Sequence, residues 1–219
     1  MSFDIKVKIC GLKTPSDIDF CIKANADFIG LVFFEKSPRH LTYAKANELS
    51  DYYTNKHAGS KLKKVALCVN PSNTELNQII DATKADYLQL HGDESPLRVE
   101  EIRQKYGLPT IKAIRVKTEL DIQESQRYNN YTDWLLFDAA SSAHLSPGGN
   151  GESFNWSLLS NFDSDLPWML AGGLHPHNVA IAISETKPNA VDVSSGVEIK
   201  AGQKDPLLVS SFVQLAKMS

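Results

Sequence analysis

The chain has 219 residues, a formal net charge of -3, 42% hydrophobic residues and 22% charged residues. This balance is typical of a globular protein with a sizeable core, and the weak negative charge argues against nucleic acid or an anionic membrane surface as a partner. No run approaches the about 18 consecutive apolar residues of a membrane span, and the N-terminal segment lacks the apolar stretch of a signal peptide. The three cysteines are widely spaced, without a CxxC pair, which predicts free thiols and a cytoplasmic location.

Eight short apolar segments follow one another along the chain, and each ends at a turn or a polar residue. In chain order they are IKVKIC, FIGLVFF, KVALCV, YLQL, TIKAI, WLLFD, WMLA and AVDV. Most are apolar throughout rather than alternating, which is typical of parallel strands covered on both faces. We therefore predict a parallel sheet of eight strands.

Helix start signals lie between these strands. The predicted helices begin after the N-cap residues Thr14, Thr42, Ser72, Ser95 and Thr118, and at Pro176 and Pro206. The alternation has a repeat of about 25 residues, the size of one strand–helix unit. It predicts a single (β/α)8 barrel over residues 1–219, with a doubly wound open sheet as the alternative.

Functional groups of such a barrel lie at the carboxyl ends of its strands. Cys10 and Asp138 end strands one and six, which face each other across the predicted mouth. A base and an acid on opposite sides of a substrate suit proton transfer. Each also has an ordinary structural interpretation, because a cysteine packs as a small apolar side chain and an aspartate caps turns. Lys8 shares the inward face with Cys10 but lies two residues deeper, so we do not expect it to act on the thiol directly.

His91 follows strand four and precedes Asp93 and Glu94. Their spacing is not that of a metal site, and we predict no metal.

Glycine-rich loops follow the last three strands. Their candidate phosphate-binding residues are Gly149 and Gly151 in PGGNG, Gly172 and Gly173 in AGGLHPHN, and Ser195 and Gly196 in VDVSSGVE. Converging backbone N–H groups and a helix start bind an anion, and barrels often place a phosphate after strands seven and eight. Each loop taken alone is equally consistent with a tight turn. Together they predict a small phosphorylated substrate.

These motifs together resemble the phosphoribosylanthranilate isomerase family. The matching segments are KICG, IGLVFFEKSPR, LQLHGDE, LLFD, PGGNG with FNW, AGGLHPHNV, and VDVSSGVE with GQKD. They occur in the family's order and span almost the whole chain. One departure is Asn150, where the family usually has Thr or Ser between the glycines.

The resemblance implies the Amadori rearrangement of N-(5-phosphoribosyl)anthranilate to 1-(2-carboxyphenylamino)-1-deoxyribulose 5-phosphate in tryptophan biosynthesis, without a metal or cofactor. Asp138 would act as general acid on the ring oxygen, and Cys10 as general base on the C2 proton. Arg39 would contact the anthranilate carboxylate. His91 and Asp192, at the ends of strands four and eight, are assigned to substrate binding, and the glycine-rich loops would hold the phosphate.

Two other functions are alternatives. One is another sugar-phosphate barrel enzyme, an epimerase or a lyase, although an epimerase would be expected to show a metal-ligating cluster of His and Asp. The other is a barrel that binds a phosphorylated metabolite without catalysis, which would not need both Cys10 and Asp138. We expect a monomer, with a dimer as the alternative.

Overall fold

The computed structural model describes residues 4–139 and 154–219. Eight parallel strands form a closed barrel in the order β1 to β8, with β1 paired to both β2 and β8. The strands are β1 (Lys6–Cys10), β2 (Phe28–Phe33), β3 (Lys63–Cys68), β4 (Tyr87–Leu90), β5 (Thr110–Val116), β6 (Trp134–Ala139), β7 (Trp168–Leu170) and β8 (Ala190–Val193). The predicted (β/α)8 barrel is confirmed, and the open-sheet alternative is wrong.

Helices connect the strands in the described part of the chain. They are α1 (Pro15–Lys23), α2 (Tyr43–His57), α3 (Asn73–Thr83), α4 (Pro96–Tyr106), α5 (Glu119–Ser125), α6 (Val179–Thr186) and α7 (Pro206–Lys217). Thr14 and Ser72 form the capping boxes that start α1 and α3. The prediction that a helix begins at Pro176 is wrong: α6 begins at Val179, because the side chain of Asn178 first closes a turn by accepting from the His175 N–H.

A short hairpin after β8 was not predicted from the sequence. A 3-10 helix (Ser195–Val197) leads into β9 (Glu198–Lys200), which pairs antiparallel with β10 (Gln203–Lys204). The hairpin carries two charged side chains, Glu198 and Lys204, back towards the barrel mouth. Further 3-10 helices span Gln126–Tyr128 and Trp156–Leu159.

The apolar core has two layers because side chains alternate between the two faces of each strand. The outward layer packs between the sheet and the helices, with Ile9, Phe137 and Phe212 among its members. The inward layer fills the barrel interior with residues such as Phe28 and Met169. Polar side chains, among them Gln89 and Asp138, share the inward positions nearest the carboxyl ends with Val32 and Leu67, which places the candidate site at that end of the barrel.

Candidate active site

A cavity opens at the carboxyl ends of the strands. Its polar lining consists of Cys10, Ser37, Arg39, Gln89, His91, Asp138, Asp192 and Ser194. The structure therefore brings together the two predicted catalytic residues, Cys10 and Asp138, and the three residues assigned to substrate binding. Val32, Phe34 and Leu67 form the apolar part of the wall.

Cys10 is the last residue of β1, and neighbouring glycines leave room for the groups around it. Gly30 is its register partner on β2, where an added Cβ would lie 2.6 Å from the Cys10 Sγ. Gly11 has φ +87°, and an added Cβ there would lie 2.5 Å from the Cδ of Arg39. The glycine after the cysteine therefore serves the close approach of Arg39 as well as the turn.

Burial and the nearby charges have competing effects on the pKa of the Cys10 thiol. Burial raises the pKa of Cys10, the positive charges of Lys8 and Lys204 lower it, and Asp192 raises it, with a net position above the ordinary value of a thiol. The free protein therefore holds Cys10 mainly as the neutral thiol at neutral pH. Contrary to the expectation from the sequence, the charge of Lys8 does lower the pKa of the Cys10 thiol, although burial outweighs it.

Asp138 lies near the end of β6 beside His91. The Nε2 of His91 is 3.5 Å from the Oδ2 of Asp138, and the other carboxylate oxygen accepts from the Ala139 N–H at 2.9 Å. The Nδ1 of His91 lies 3.3 Å from the Nε2 of Gln89. In this orientation of the amide, Gln89 donates to Nδ1 and the ring carries a proton on Nε2, facing Asp138.

Arg39 is held in a fixed orientation by the hairpin after β8. Its Nε and Nη2 donate to the two carboxylate oxygens of Glu198 at 2.8 and 2.7 Å. Lys204 donates to the same carboxylate at 2.7 Å and to the Ser194 carbonyl at 3.0 Å. Burial raises the pKa of Glu198, but Arg39 and Lys204 outweigh burial and hold it below its usual range. The carboxylate is therefore charged and fixes the guanidinium at the cavity wall.

The loops after β7 and β8 pack closely against neighbouring backbone. Gly172 and Gly173 have φ of +84° and +65°, in the left-handed region that favours glycine. An added Cβ on Gly172 would lie 2.7 Å from the Ala139 nitrogen, and one on Gly196 would overlap the Leu174 backbone oxygen. Backbone packing thus accounts for the glycines at 172 and 196, while phosphate binding stays a prediction.

Ser195 and Gly196 are partly exposed in the 3-10 helix that follows β8. Their predicted role in phosphate binding stays a prediction. Gly149 and Gly151, the other predicted phosphate-binding residues, lie outside the described residues.

Within residues 4–139 and 154–219, no group of three or more His, Cys, Asp or Glu side chains is arranged to hold a metal ion. In the same ranges, no helix is long and apolar enough to cross a membrane.

Several polar residues of the site were either not identified from the sequence or, like Lys8, given no direct role. Gln89 and Lys8 interrupt apolar strands, and a polar side chain at an inward position of a barrel strand is a usable signal. Glu198 and Lys204 gave no such signal, because only the hairpin brings them to the mouth.

Enzymes with a (β/α)8 barrel have their active sites at the carboxyl ends of the strands, where this closed barrel has its polar cavity. The fold and the cavity therefore define the class of (β/α)8-barrel enzymes. The family model for N-(5'phosphoribosyl)anthranilate (PRA) isomerase matches residues 7–215. The chain belongs to the N-(5'-phosphoribosyl)anthranilate isomerase family.

Individual relatives agree with this assignment. The chain is 45% identical to the N-(5'-phosphoribosyl)anthranilate isomerase of Parvibaculum lavamentivorans over 97% of this chain and 98% of that protein. Its fold matches the crystal structure of phosphoribosyl anthranilate isomerase from Thermotoga maritima with a TM-score of 0.86 and 30% identity. The match covers 98% of this chain and 100% of that chain. It also matches a phosphoribosyl anthranilate isomerase in complex with reduced 1-(o-carboxyphenylamino)-1-deoxyribulose 5-phosphate, with a TM-score of 0.81, 30% identity and the same coverage.

Proposed function

We propose that this protein catalyses the Amadori rearrangement of N-(5'-phosphoribosyl)anthranilate, with Asp138 as general acid and Cys10 as general base. The observation that carries the proposal is that both residues line one cavity, from the separate strands β6 and β1. A substrate bound between them meets an acid on one side and a base on the other. Family membership favours this reaction over the epimerase, the lyase and the non-catalytic barrel.

The first step opens the sugar ring. Asp138 donates its proton to the ring oxygen, the bond from that oxygen to C1 breaks, and the anthranilate nitrogen supplies the electron pair that forms the C1=N bond. The product of this step is a cationic Schiff base. Because the positive nitrogen attracts electrons, it lowers the barrier to removing the proton on C2.

The second step removes that proton. Cys10 first loses its proton to solvent; the resulting thiolate takes the C2 proton, the C–H electron pair forms C1=C2, and the electrons of the C=N bond return to nitrogen. The enolamine then tautomerises to the ketone, with a proton gained at C1 and one lost from the C2 hydroxyl. Solvent carries a proton from Cys10 back to Asp138 before the next turnover.

The other groups of the cavity bind and orient the substrate in this proposal. Arg39, held by Glu198, offers its guanidinium to the anthranilate carboxylate. His91 and Asp192 contact the sugar part. Gly173, Ser195 and Gly196, with Gly149 and Gly151 from the loop outside the described residues, bind the phosphate.

We further propose that residues 1–219 form one domain that acts as a cytoplasmic monomer without a cofactor. Free thiols at Cys10, Cys21 and Cys68 support a reducing compartment. A dimer is the alternative, since one Thermotoga maritima relative is described as dimeric. Sedimentation velocity at two protein concentrations distinguishes the two states.

The experiment for the activity is a fluorescence assay with N-(5'-phosphoribosyl)anthranilate. Its emission should change as the rearranged product forms, and chromatography should show an isomer of the substrate. The Asp138→Asn protein serves as the matched control for spontaneous decay. A folded native protein that accelerates decay no more than the control would contradict the proposed function.

A further inference from the structure

Lys8 is a fully buried lysine inside the barrel, with 0% of its surface exposed. Burying an ammonium group is costly unless a partner compensates it. Its Nζ donates to the Oδ1 of Asp192 on the neighbouring strand β8 at 3.0 Å. Cys10 lies two residues further along the same inward face of β1, and the charge of Lys8 lowers the pKa of its thiol. The barrel thus holds a buried, paired cation on the face of β1 that carries the thiol.

The charged groups facing the Cys10 thiol come from three elements. Lys8 lies on β1, Asp192 on β8 and Lys204 on β10. The neighbouring strands β2 and β3 present apolar side chains, and the remaining charged or titratable groups of the cavity are Arg39, His91 and Asp138. Lys204 is strongly engaged, because it donates to Glu198 and to Ser194. Lys8 is therefore the cation best placed to respond to a charge on the sulfur.

We propose that Lys8 is a positioning residue for proton abstraction: its ammonium stabilises the Cys10 thiolate, and Asp192 competes with the sulfur for that ammonium. The inference rests on the proposed role of Cys10 as general base. While Cys10 is protonated, Asp192 alone neutralises Lys8. When the proton leaves the sulfur, the ammonium has a second anion to pair with, so burial of the lysine is tolerated in both states.

The protonation state of Lys8 agrees with this arrangement. Burial lowers its pKa, but the charge of Asp192 and the interactions with Cys10 outweigh burial and hold the pKa above its ordinary value. The side chain is therefore charged at neutral pH.

The test measures ionisation of Cys10 directly in the protein without substrate. The ultraviolet absorbance of the thiolate is followed against pH, and the curve of the same protein carrying Cys10→Ser is subtracted, which removes tyrosines and the other cysteines. Asp192→Asn should lower the midpoint by about 1 pH unit or more, because it removes the anion that repels the thiolate and binds Lys8. Lys8→Met should raise the midpoint by about 1 pH unit or more.

The opposite directions of the two variants separate this role from a structural one, since a pair that only supports packing would leave both midpoints in place. If Lys8→Met does not fold, the double variant Lys8→Met/Asp192→Asn, which removes both buried charges together, is compared with Asp192→Asn. Its midpoint should be higher by about 1 pH unit or more, because only the double variant lacks the ammonium; equal midpoints would reject the role of Lys8. An unchanged or higher midpoint for folded Asp192→Asn overturns the proposal.

The titration midpoints and the activity of Cys10→Ser are separate measurements, so the role of Lys8 and the proposed reaction can fail independently. Unmoved midpoints with an inactive Cys10→Ser protein would reject the role of Lys8 and leave the acid–base assignment intact. Shifted midpoints with an active Cys10→Ser protein would show the coupling to exist but reject Cys10 as the base.

Discussion

The imidazole Nε2 of His91 lies 3.5 Å from the Oδ2 of Asp138, and the opposite ring nitrogen of His91 is 3.3 Å from the amide of Gln89. Gln89 is fully buried and His91 nearly so. Within the described residues, His91 Nε2 has no hydrogen-bond partner. Because Gln89 fixes the ring proton on Nε2, His91 presents a donor to the proposed acid or to a substrate oxygen beside it.

Replacing Gln89 with methionine should weaken catalysis without unfolding the protein. Methionine has a similar volume but cannot donate to Nδ1, so the ring loses its fixed tautomer. We expect kcat to fall about tenfold, the scale of losses when an orienting hydrogen bond is removed. Steady-state kinetics and thermal unfolding on the same preparation measure both quantities. Unchanged kcat would show that the tautomer of His91 does not matter to the reaction.

Asp138→Asn should remove most of the turnover. An amide cannot donate a proton to the ring oxygen as a carboxylic acid does, and general acid catalysis contributes about 10² to 10⁴-fold. Affinity for the reduced product analogue should change little, as measured by calorimetry.

Asp133 provides a matched control at the opposite end of β6. Its carboxylate accepts from the Thr110 N–H at 2.8 Å, away from the mouth. Asp133→Asn should therefore affect stability and leave kcat near the native value. Near-normal turnover in Asp138→Asn would remove Asp138 from the acid role.

The barrel could be predicted because its signals are local. Each strand is a short apolar run, and residues such as Thr14 and Ser72 mark helix starts through hydrogen bonds within four residues. The helix before β8 was placed too early because the turn made by Asn178 looks, in sequence, like a helix start at Pro176.

The candidate site also has residues that local sequence signals locate and contacts that they do not. Cys10 and Asp138 could be located because strand ends define the mouth of a barrel. The pairing of the charged residues around them could not be predicted, since the contacts are long-range: Lys8 and Asp192 are 184 positions apart, and Arg39 and Glu198 are 159 apart. No local pattern indicates which charges meet across such distances.

Arg39→Lys should raise KM more than it lowers kcat. Lysine keeps the positive charge but loses the planar fork that can meet a carboxylate with two hydrogen bonds. The contact lies away from the reacting carbons, so it acts on binding in both ground and transition states. Initial rates over a range of substrate concentrations give the two constants.

Glu198→Gln tests whether the effect comes through the hairpin instead. It keeps the guanidinium but weakens the pair that orients it. If Arg39 only stabilises the hairpin, both variants should lower the melting temperature with KM unchanged.

Gly173→Ala should weaken binding of phosphate-bearing ligands. The new methyl group would crowd the backbone approach to the phosphate and would occupy a left-handed conformation at φ +65°. Calorimetry should show lower affinity for the phosphorylated product analogue, and the dephosphorylated analogue should bind poorly to both proteins.

Gly107→Ala is the control for the conformational cost alone. Gly107 ends α4 with φ +62°, and nothing lies within 4 Å of an added Cβ. It should lose similar stability but no affinity. Equal binding of the two analogues by the native protein would show that the loops after β7 and β8 are only turns.

Cys10→Ser should lose about 10² to 10⁴-fold in kcat while remaining folded. Serine is close in size to cysteine, but its alkoxide forms far less readily than a thiolate, so a serine is a poor base. Because the pKa of Cys10 lies above the ordinary value for a thiol, its alkylation by iodoacetamide should be slow at neutral pH and accelerate as the pH rises. Turnover, thermal unfolding and the alkylation rate against pH provide the three measurements.

Cys21→Ser and Cys68→Ser separate chemistry from packing. Both thiols are buried outside the cavity, and burial raises the pKa of each. Their hydroxyl replacements should lower the free energy of unfolding and leave kcat near the native value. All three cysteines are buried, so a loss of packing should affect them alike, and only a chemical role would make the loss of kcat specific to Cys10. If Cys10→Ser keeps substantial turnover, or loses it in proportion to unfolding as the two controls do, Cys10 is a packing residue and the base lies elsewhere in the cavity.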